Sequence, residues 1–312
     1  MLIRLSALGV IWLATLITLG RMRRSYVTNS LLQKYAEDER HKNECHEYWY
    51  QIQLEKIKEE LRSKFVQLEE DEETKAFLDN CYQKTDAVFW QLYHSIAIPF
   101  LKLFMTQTDV NGYLDRGSMF VFSTTQFDQL LGIDEAWKAD SLLDLGAGDG
   151  KVAEKMAGHF QHIYTTEIST QMRKQLVKRG FAVLGIDEWT EQKYDIISCL
   201  NLLDRCDKPL TLLKQIRESL KEDGRLVIAS VSPYSAYVEE NKSNGNKPTE
   251  WLAIRKTKCV EEQVNQMVEN VFIPSGFEVV SFSRLPYLCE GDLTTSFYVL
   301  YDILFVLKPT IY

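Results

Sequence analysis

The run LLDLGAGDG, residues 142–150, follows an apolar stretch and precedes a helical pattern. Glycines at a strand-to-helix turn let the backbone bend sharply and approach a ligand at the helix N-terminus. The spacing is Gly-x-Gly-x-Gly, and Asp144 stands two residues before the first glycine, whereas dinucleotide enzymes carry Gly-x-Gly-x-x-Gly. The run therefore predicts an α/β fold that binds S-adenosylmethionine rather than NAD, with Asp144, Gly146 and Gly148 at the cofactor.

Short apolar runs alternate with helical patterns beyond residue 139, as in a parallel sheet with crossover helices. Strands are predicted near 141–146, 161–166, 181–184, 194–200, 224–231, 277–284 and 296–307. Helices are predicted near 150–158, 169–179, 207–221 and 259–274. The last two strands have a short connection, which requires an antiparallel hairpin. The predicted fold class is α/β and Rossmann-like, with a seven-stranded, mostly parallel sheet and a C-terminal antiparallel hairpin.

Two acidic residues follow the second and third predicted strands. Glu167 comes 21 residues after Gly146, and Asp187 follows the next strand. Ligands of open α/β sheets bind outside the carboxyl ends of the strands, where the strand order reverses. We expect Glu167 to accept hydrogen bonds from the ribose hydroxyls and Asp187 to accept from the adenine amino group. The alternative for each acid is to cap the helix that follows it.

The predicted strand 194–200 leads into a polar loop that begins at Asn201. Asn201 and Asp204 are three residues apart, so one helical turn would point both side chains the same way. Asp207 precedes Lys208-Pro209 and is predicted to be the N-cap of the next helix, because proline suits the first helical positions. Asp204 would then be available to a substrate.

The N-terminal third divides into two parts. Residues 1–25 include Leu5 to Leu19, which is mostly apolar and uncharged and is flanked by arginines at 4, 21, 23 and 24. A cleaved secretory signal, an uncleaved anchor and a mitochondrial presequence all fit this signal- or anchor-like segment. We expect membrane association through residues 5–20 and a location in the endoplasmic reticulum or another endomembrane, or in the mitochondrion.

Residues 26–110 are predicted to form an N-terminal helical extension. From residue 33 to 73 the chain is rich in Glu, Lys, Arg and Gln and has no Gly or Pro. Residues 76–105 carry many large apolar and aromatic side chains, and their density predicts a helix packed on the main body.

Charge and cysteine spacing exclude two classes of function. The chain has 36 Lys and Arg against 44 Asp and Glu, for a net charge of -8. This charge gives no general attraction to a phosphate backbone, so no nucleic-acid partner is expected. The 6 Cys show no C-x-x-C spacing, so no metal site is predicted.

Several strings together resemble one known family: LLDLGAGDG, SCLNLLDRCD, GSMFVFS, RLPYLCEGD and YVLYDILFVLKP. From about residue 90 to the C-terminus they are similar to the DREV-like, protein-histidine N-pros methyltransferases. The resemblance implies an S-adenosylmethionine-dependent methyltransferase domain over 111–312. It also implies protein substrates with His-x-His motifs in which x is small. The implied cofactor residues are Asp144, Gly146, Glu167 and Asp187, and the implied histidine-binding residues are Asn201, Asp204, Tyr287 and Tyr298.

Elementary chemistry agrees with this role of Asp204. A carboxylate that accepts the N–H of the distal imidazole nitrogen leaves the lone pair on the nitrogen nearer the chain. The same carboxylate stabilises the imidazolium that methyl transfer creates.

We expect a monomer. The alternatives are a small-molecule methyltransferase, which would share every cofactor residue, and a cofactor-binding scaffold that acts through its helical arm.

Overall fold

An eight-stranded mixed sheet forms the centre of the computed structural model, which describes residue 29 and residues 31–239 and 244–310. The strands are β1 Met119–Phe120, β2 Ala139–Leu145, β3 Phe160–Thr166, β4 Ala182–Leu184, β5 Tyr194–Leu200, β6 Leu220–Ser232, β7 Phe277–Glu290 and β8 Phe297–Pro309. Their order is β1-β7-β8-β6-β5-β2-β3-β4. β2 to β6 pair in parallel, whereas β8 is antiparallel to both β6 and β7.

This sheet confirms the predicted Rossmann-like fold and its C-terminal hairpin, but the count of seven strands was wrong. The additional strand is β1, which pairs antiparallel with β7 through Met119 and Cys289. A two-residue strand has no periodic pattern of its own, because two residues do not complete an alternation. The strand order reverses at β2, which lies between β3 and β5, and the predicted crevice is at this point.

Ten helices flank the sheet in the described part of the chain. They are α1 at 31–42, α2 Glu59–Arg62, α3 Glu72–Asp86, α4 Val88–Leu101, α5 Gln107–Tyr113, α6 Thr124–Leu131, α7 Lys151–Ala157, α8 Thr170–Lys178, α9 Pro209–Ser219 and α10 Val260–Met267. A π-helical turn, Val268–Phe272, extends α10. The four helices predicted after residue 150 correspond to α7, α8, α9 and α10.

Apolar side chains cover both faces of the sheet, as expected for buried parallel strands. On one face, Leu143 and Ile197 of the sheet pack with Ile216 of α9 and Met267 of α10. On the other face, Leu142 and Ile196 pack with residues of α6 and α7, and with Trp49 and Leu78 from the N-terminal region.

The segment predicted to be helical from 33 to 73 is only partly so, and this prediction was wrong. α1 ends near 42, short 3₁₀ turns cover His46–Trp49 and Leu54–Lys56, and residues 63–71 are irregular. The reason is tertiary. Trp49 is buried in the core, and the backbone at Phe65 forms a parallel bridge to Phe282 of β7. Such contacts override helix propensity.

The prediction that residues 76–105 form one helix packed on the body was also wrong. The helix is interrupted at Ala87, between α3 and α4. α3 is packed and buries Leu78 and Cys81, but the aromatic side chains of α4 are largely exposed. Aromatic density indicates a surface that needs a partner, but it does not show that the partner is the rest of the same chain.

The predicted signal- or anchor-like segment, residues 1–25, and residues 5–20 within it lie outside the described residues. Among the residues that are described, no helix combines the length and the apolarity needed to cross a membrane. The division at residue 110 between an extension and a methyltransferase domain stays a prediction.

Candidate active site

The glycine-rich loop connects the carboxyl end of β2 to α7. Gly146 and Gly148 both have left-handed backbone, with φ of 70° and 56°. A Cβ on Gly148 would have no neighbour within 4 Å, whereas a Cβ on Gly146 would meet Leu202 Cδ1 at 3.2 Å. The loop after β2 therefore leaves open space at Gly148 and contacts the loop after β5 at Gly146.

Asp144 lies beneath this loop and is 3% exposed. Its Oδ1 accepts a hydrogen bond of 2.6 Å from Ser198 Oγ on the neighbouring strand β5. Burial raises the pKa of Asp144 to about 7, the Ser198 hydroxyl acts in the opposite direction, and the charge of Glu167 raises the pKa further. Asp144 is thus fixed by β5 two residues before the glycine-rich loop, and burial favours its protonated form.

Glu167 follows β3 and is bound to the glycine-rich loop. Its carboxylate accepts from the backbone N–H of Gly148 at 3.0 Å and from that of Ser169 at 2.8 Å. The N-cap of α8 is Ser169, whose side chain accepts from Met172 N, so Glu167 is not the cap. A carboxylate has about four lone-pair positions, which leaves Glu167 able to accept two ribose hydroxyls.

Asp187 is exposed and precedes the 3₁₀ turn Glu188–Glu191, and its side chain does not cap that turn. Neither the Glu167 nor the Asp187 side chain caps the helix that follows it in the described structure. Asp144 lies near the end of β2, the two glycines follow β2, and Glu167 and Asp187 follow the adjacent strands β3 and β4. This arrangement fits S-adenosylmethionine. The placement of Glu167 at the ribose and of Asp187 at the adenine stays a prediction.

Asn201 and Asp204 lie across the crevice, after β5. Asn201 has positive φ, 53°, and its Nδ2 donates to Asp302 Oδ2 at 2.6 Å. Asp204 is 5% exposed, and its Oδ2 is 3.2 Å from Arg205 Nε. Burial raises the pKa of Asp204, and the charge of Arg205 opposes this shift.

Asp302 on β8 is the site residue that the sequence-based reasoning missed. It is fully buried, at 0% exposure. Burial raises its pKa to about 8, the hydrogen bond from Asn201 acts against this shift, and the charge of Asp204 adds to it. A sequence signal exists, because Asp302 is the one charged residue within the apolar run YVLYDILFVL. A lone buried charge is retained only where something compensates it.

Three buried oxygens of these side chains have no hydrogen-bond partner within the described chain: Asn201 Oδ1, Asp204 Oδ1 and Asp302 Oδ1. We call these atoms the acceptor cluster. The Asn201 amide oxygen and an ionised Asp204 accept hydrogen bonds, whereas Asp302, whose pKa is raised to about 8, holds a proton near neutral pH and can also donate. A ligand that satisfies Asn201 Oδ1 and Asp204 Oδ1 must bring N–H or O–H donors.

The two tyrosines differ in their positions. Burial raises the pKa of Tyr287 well above its ordinary value, and the charges of Asp302 and Asp204 contribute, so Tyr287 is close to the acceptor cluster. Its hydroxyl donates to Met119 Sδ. Tyr298 instead donates to Asp292 Oδ2 at 2.9 Å, and it is roughly 13 Å along β8 from Asp302. Its role at the substrate stays a prediction.

Asp207 does not cap α9, so that prediction was wrong. The N-cap position is Lys208, without a side-chain hydrogen bond, and Pro209 is the first helical residue. The Asp207 carboxylate accepts from the backbone N–H and the hydroxyl of Thr249, both at 2.9 Å. Proline at the first position lacks an N–H, so a cap is less needed there.

Elsewhere, the described residues contain no group of three His, Cys, Asp or Glu side chains suited to a metal.

The profile of the DREV methyltransferases matches residues 49–309. The chain belongs to the DREV methyltransferase family. This assignment confirms the family expected from the sequence strings and, with it, S-adenosylmethionine as the cofactor. It also extends the match into the N-terminal region, to the buried Trp49, which lies well before the start of the resemblance near residue 90.

Individual relatives are distant. Ubiquinone biosynthesis O-methyltransferases of Actinobacillus pleuropneumoniae and Glaesserella parasuis are 24% and 28% identical to this chain over 106 and 108 residues, which is 29% of this chain. The chain spans less than half, 45%, of the length of these curated relatives.

Two solved structures are similar to the chain. The N-methyltransferase NodS from Bradyrhizobium japonicum, in complex with S-adenosyl-L-homocysteine, is 14% identical. The similarity covers 60% of this chain and 85% of that one, with a TM-score of 0.38. An S-adenosylmethionine-dependent methyltransferase from Clostridium acetobutylicum is 13% identical. Here it covers 74% of this chain and 100% of that one, with a TM-score of 0.39.

Proposed function

We propose that this chain is an S-adenosylmethionine-dependent protein-histidine N-methyltransferase that modifies the pros nitrogen of histidine in His-x-His motifs, where x is small. The observation that carries the proposal is the acceptor cluster. It offers buried oxygens of Asn201, Asp204 and Asp302 that have no partner in the described chain. Asn201 and Asp204 follow β5, which is the neighbour of β2, the strand that leads into the glycine-rich loop. A neutral imidazole supplies one N–H donor and one lone pair, so it can satisfy an acceptor and still attack a methyl group.

Asp204 accepts the N–H of the distal nitrogen in this scheme. The proton is then held away from the nitrogen nearer the chain, whose lone pair forms the new N–C bond. The cofactor supplies the methyl group, as a sulfonium whose S–C bond breaks. Asp204 balances the imidazolium charge that develops, and this interaction strengthens as the transition state is approached.

Asn201 and Asp302 orient the substrate. The Asn201 amide is fixed by its hydrogen bond to Asp302, which leaves its Oδ1 without a partner and available to the substrate. Orientation alone can contribute several kcal/mol to such a transfer, up to about 7–11 kcal/mol in well-aligned reactions.

We further propose that the full chain acts as a monomer on protein substrates, in an endomembrane or mitochondrial setting.

The test is incubation of the full chain and S-adenosylmethionine with a His-Ala-His peptide, followed by mass spectrometry and comparison with the two authentic methylhistidine isomers. Matched peptides replace one histidine or both by glutamine. We expect the pros isomer from the His-Ala-His peptide and no product from the double replacement. Methylation of the tele nitrogen, or of small hydroxylated metabolites in place of the peptide, contradicts the proposal.

A further inference from the structure

α4 and the turn that follows it carry an apolar surface that no other described part of the chain covers. We call it the apolar stripe; it consists of Phe89, Tyr93, Ile96, Phe100, Leu103 and Phe104. The spacing of three and four residues within α4 places Phe89, Tyr93, Ile96 and Phe100 on one helix face. Leu103 and Phe104 lie in the turn that follows. Phe89 is 92% exposed, Ile96 70% and Phe104 75%. Burial of one such side chain contributes about 1.5–3 kcal/mol, so a stripe of this size indicates a partner.

The opposite face of α4 holds the helix to the body. Gln91 is buried, and its Nε2 donates to the carbonyl of Lys84 on α3 at 3.2 Å. The stripe lies on the other side of the helix from Gln91 and is exposed. It runs along a helix of 14 residues, which is about 21 Å long.

The sequence around the stripe carries no negative charge that would repel an anionic surface. No Asp or Glu occurs from residue 87 to residue 108, and Lys102 lies within that range. His94 adds no positive charge near neutral pH, because burial lowers its pKa and the charge of Arg116 lowers it further. Trp90 and Tyr93 are residue types that concentrate where a membrane meets water.

The N-terminus of the chain enters the fold beside the start of α4. Lys34 of α1 is buried and forms ion pairs of 2.8 Å with Asp38 and 2.7 Å with Asp86. Asp86 is the last residue of α3, two residues before α4 begins. Residues 25–30 link the arginines at 21, 23 and 24 to α1, and six residues span at most roughly 20 Å. An apolar N-terminal segment in a membrane would thus keep α4 near the same surface.

We propose that the apolar stripe of α4 binds the surface of an anionic lipid bilayer, with the helix lying along the interface. Apolar side chains enter the headgroup region, as in other interfacial helices. Basic residues near the surface each contribute about 1 kcal/mol in attraction to acidic lipids. Docking of the stripe does not depend on the reaction that the crevice performs.

The experiment places the photoreactive analogue benzoylphenylalanine at Phe100 of the full chain, with vesicles of phosphatidylcholine and phosphatidylserine. We expect a covalent adduct with lipid after irradiation. The matched control places the analogue at Ile273, which is also exposed, at 53%. Ile273 comes four residues before Phe277, where β7 begins. The helices α3 and α4 are at the other end of β7, where Glu290 forms an ion pair with Lys84 of α3. Absence of a lipid adduct at 100, equal adducts at both positions, or an adduct between two copies of the chain overturns the proposal.

A second measurement tests the stripe as a unit and the role of charge. Ile96→Ser combined with Leu103→Ser should reduce the lipid adduct at Phe100 by about tenfold or more, because two large apolar side chains no longer enter the bilayer. Circular dichroism checks that the variant is folded. Vesicles of phosphatidylcholine alone should give a weaker adduct, and an unchanged adduct overturns the preference for anionic lipid.

Discussion

The oxygens on the two sides of the crevice differ in their hydrogen-bond partners. On the cofactor side, Asp144 is bonded by Ser198, and Glu167 accepts two backbone N–H groups. On the acceptor side, the three oxygens of the acceptor cluster have no donor among the residues described. One side is held in place by the chain itself, and the other is completed by a ligand.

This difference has an energetic meaning. A buried polar atom without a partner costs about 1–3 kcal/mol, so the acceptor side carries a cost that the folded chain does not recover until a donor arrives. The cofactor side carries little of this cost. We therefore expect substitutions on the cofactor side to act on affinity, and substitutions on the acceptor side to act on turnover and, separately, on stability.

Gly146→Arg should have the largest effect and abolish cofactor binding. Left-handed backbone at φ 70° costs a non-glycine residue about 1–2 kcal/mol, and the side chain would meet Leu202 and enter the crevice. Calorimetry with S-adenosylmethionine measures the loss. Gly132→Ala is the control, since Gly132 has φ of 68° in open space at the end of α6. It should lose stability but keep its affinity; unchanged affinity in a folded Gly146→Arg protein would refute the placement of the loop.

Asp204→Asn should lower kcat by about 10²-fold or more while leaving cofactor affinity unchanged, because the charge interaction that grows in the transition state is removed. Single-turnover rates on a His-Ala-His peptide and calorimetry measure the two quantities. Asp207→Asn is the control, since an amide can still accept from Thr249. Near-normal turnover of Asp204→Asn would show that Asp204 does not stabilise the transition state. The expected difference between the two sides of the crevice would then be wrong.

Asp302→Asn should lower kcat by about tenfold, roughly the effect of one lost hydrogen bond. The new amide can donate to Asn201 Oδ1 and turn that amide away from the substrate. The pros-to-tele product ratio reports this, since a residue that only supports the fold would change the yield and leave the ratio constant. An unchanged ratio would remove the orienting role of Asp302.

The last prediction concerns the pH dependence of the free energy of unfolding. The pKa of Asp302 is raised to about 8 by burial, so the folded state holds this proton more tightly than the unfolded state. Stability that is present at low pH is therefore lost as pH rises toward about 8, at up to about 1.4 kcal/mol per pH unit. Asp302→Asn removes this dependence. Urea unfolding of both proteins across this range should show a difference that grows with pH; a constant difference contradicts the assignment.

The positions of the predicted cofactor residues at the ends of strands could be predicted from the sequence because the signals are local. Asp144, Gly146, Glu167 and Asp187 each stand at the end of a recognisable apolar strand, and the ends of neighbouring strands meet in any sheet of this order. The acceptor side depends on β8, whose position between β6 and β7 brings Asp302 to Asn201, 101 residues away. No periodicity in one segment reveals such a pairing.

The N-terminal region shows the same limit. Its composition predicts helix from 33 to 73, but Trp49 and Phe65 are placed by contacts with the sheet. The aromatic residues of α4 show the reverse error, since their density suggested burial and they are exposed. Local patterns indicate what a segment needs, but long-range contacts decide what satisfies it.

The bridge between Phe65 and Phe282 has a consequence for how the chain assembles. Phe282 N–H donates to Lys64 O, and Val66 N–H donates to Phe282 O, so residues 64–66 add a short parallel ladder to the outer edge of β7. During synthesis the earlier segment leaves the ribosome more than two hundred residues before its partner. Contacts of such separation form late and slowly, and until then β7 has an open edge that a neighbouring chain can join. Residues 64–66 must therefore pair with this edge before a neighbouring chain does, or the chain aggregates.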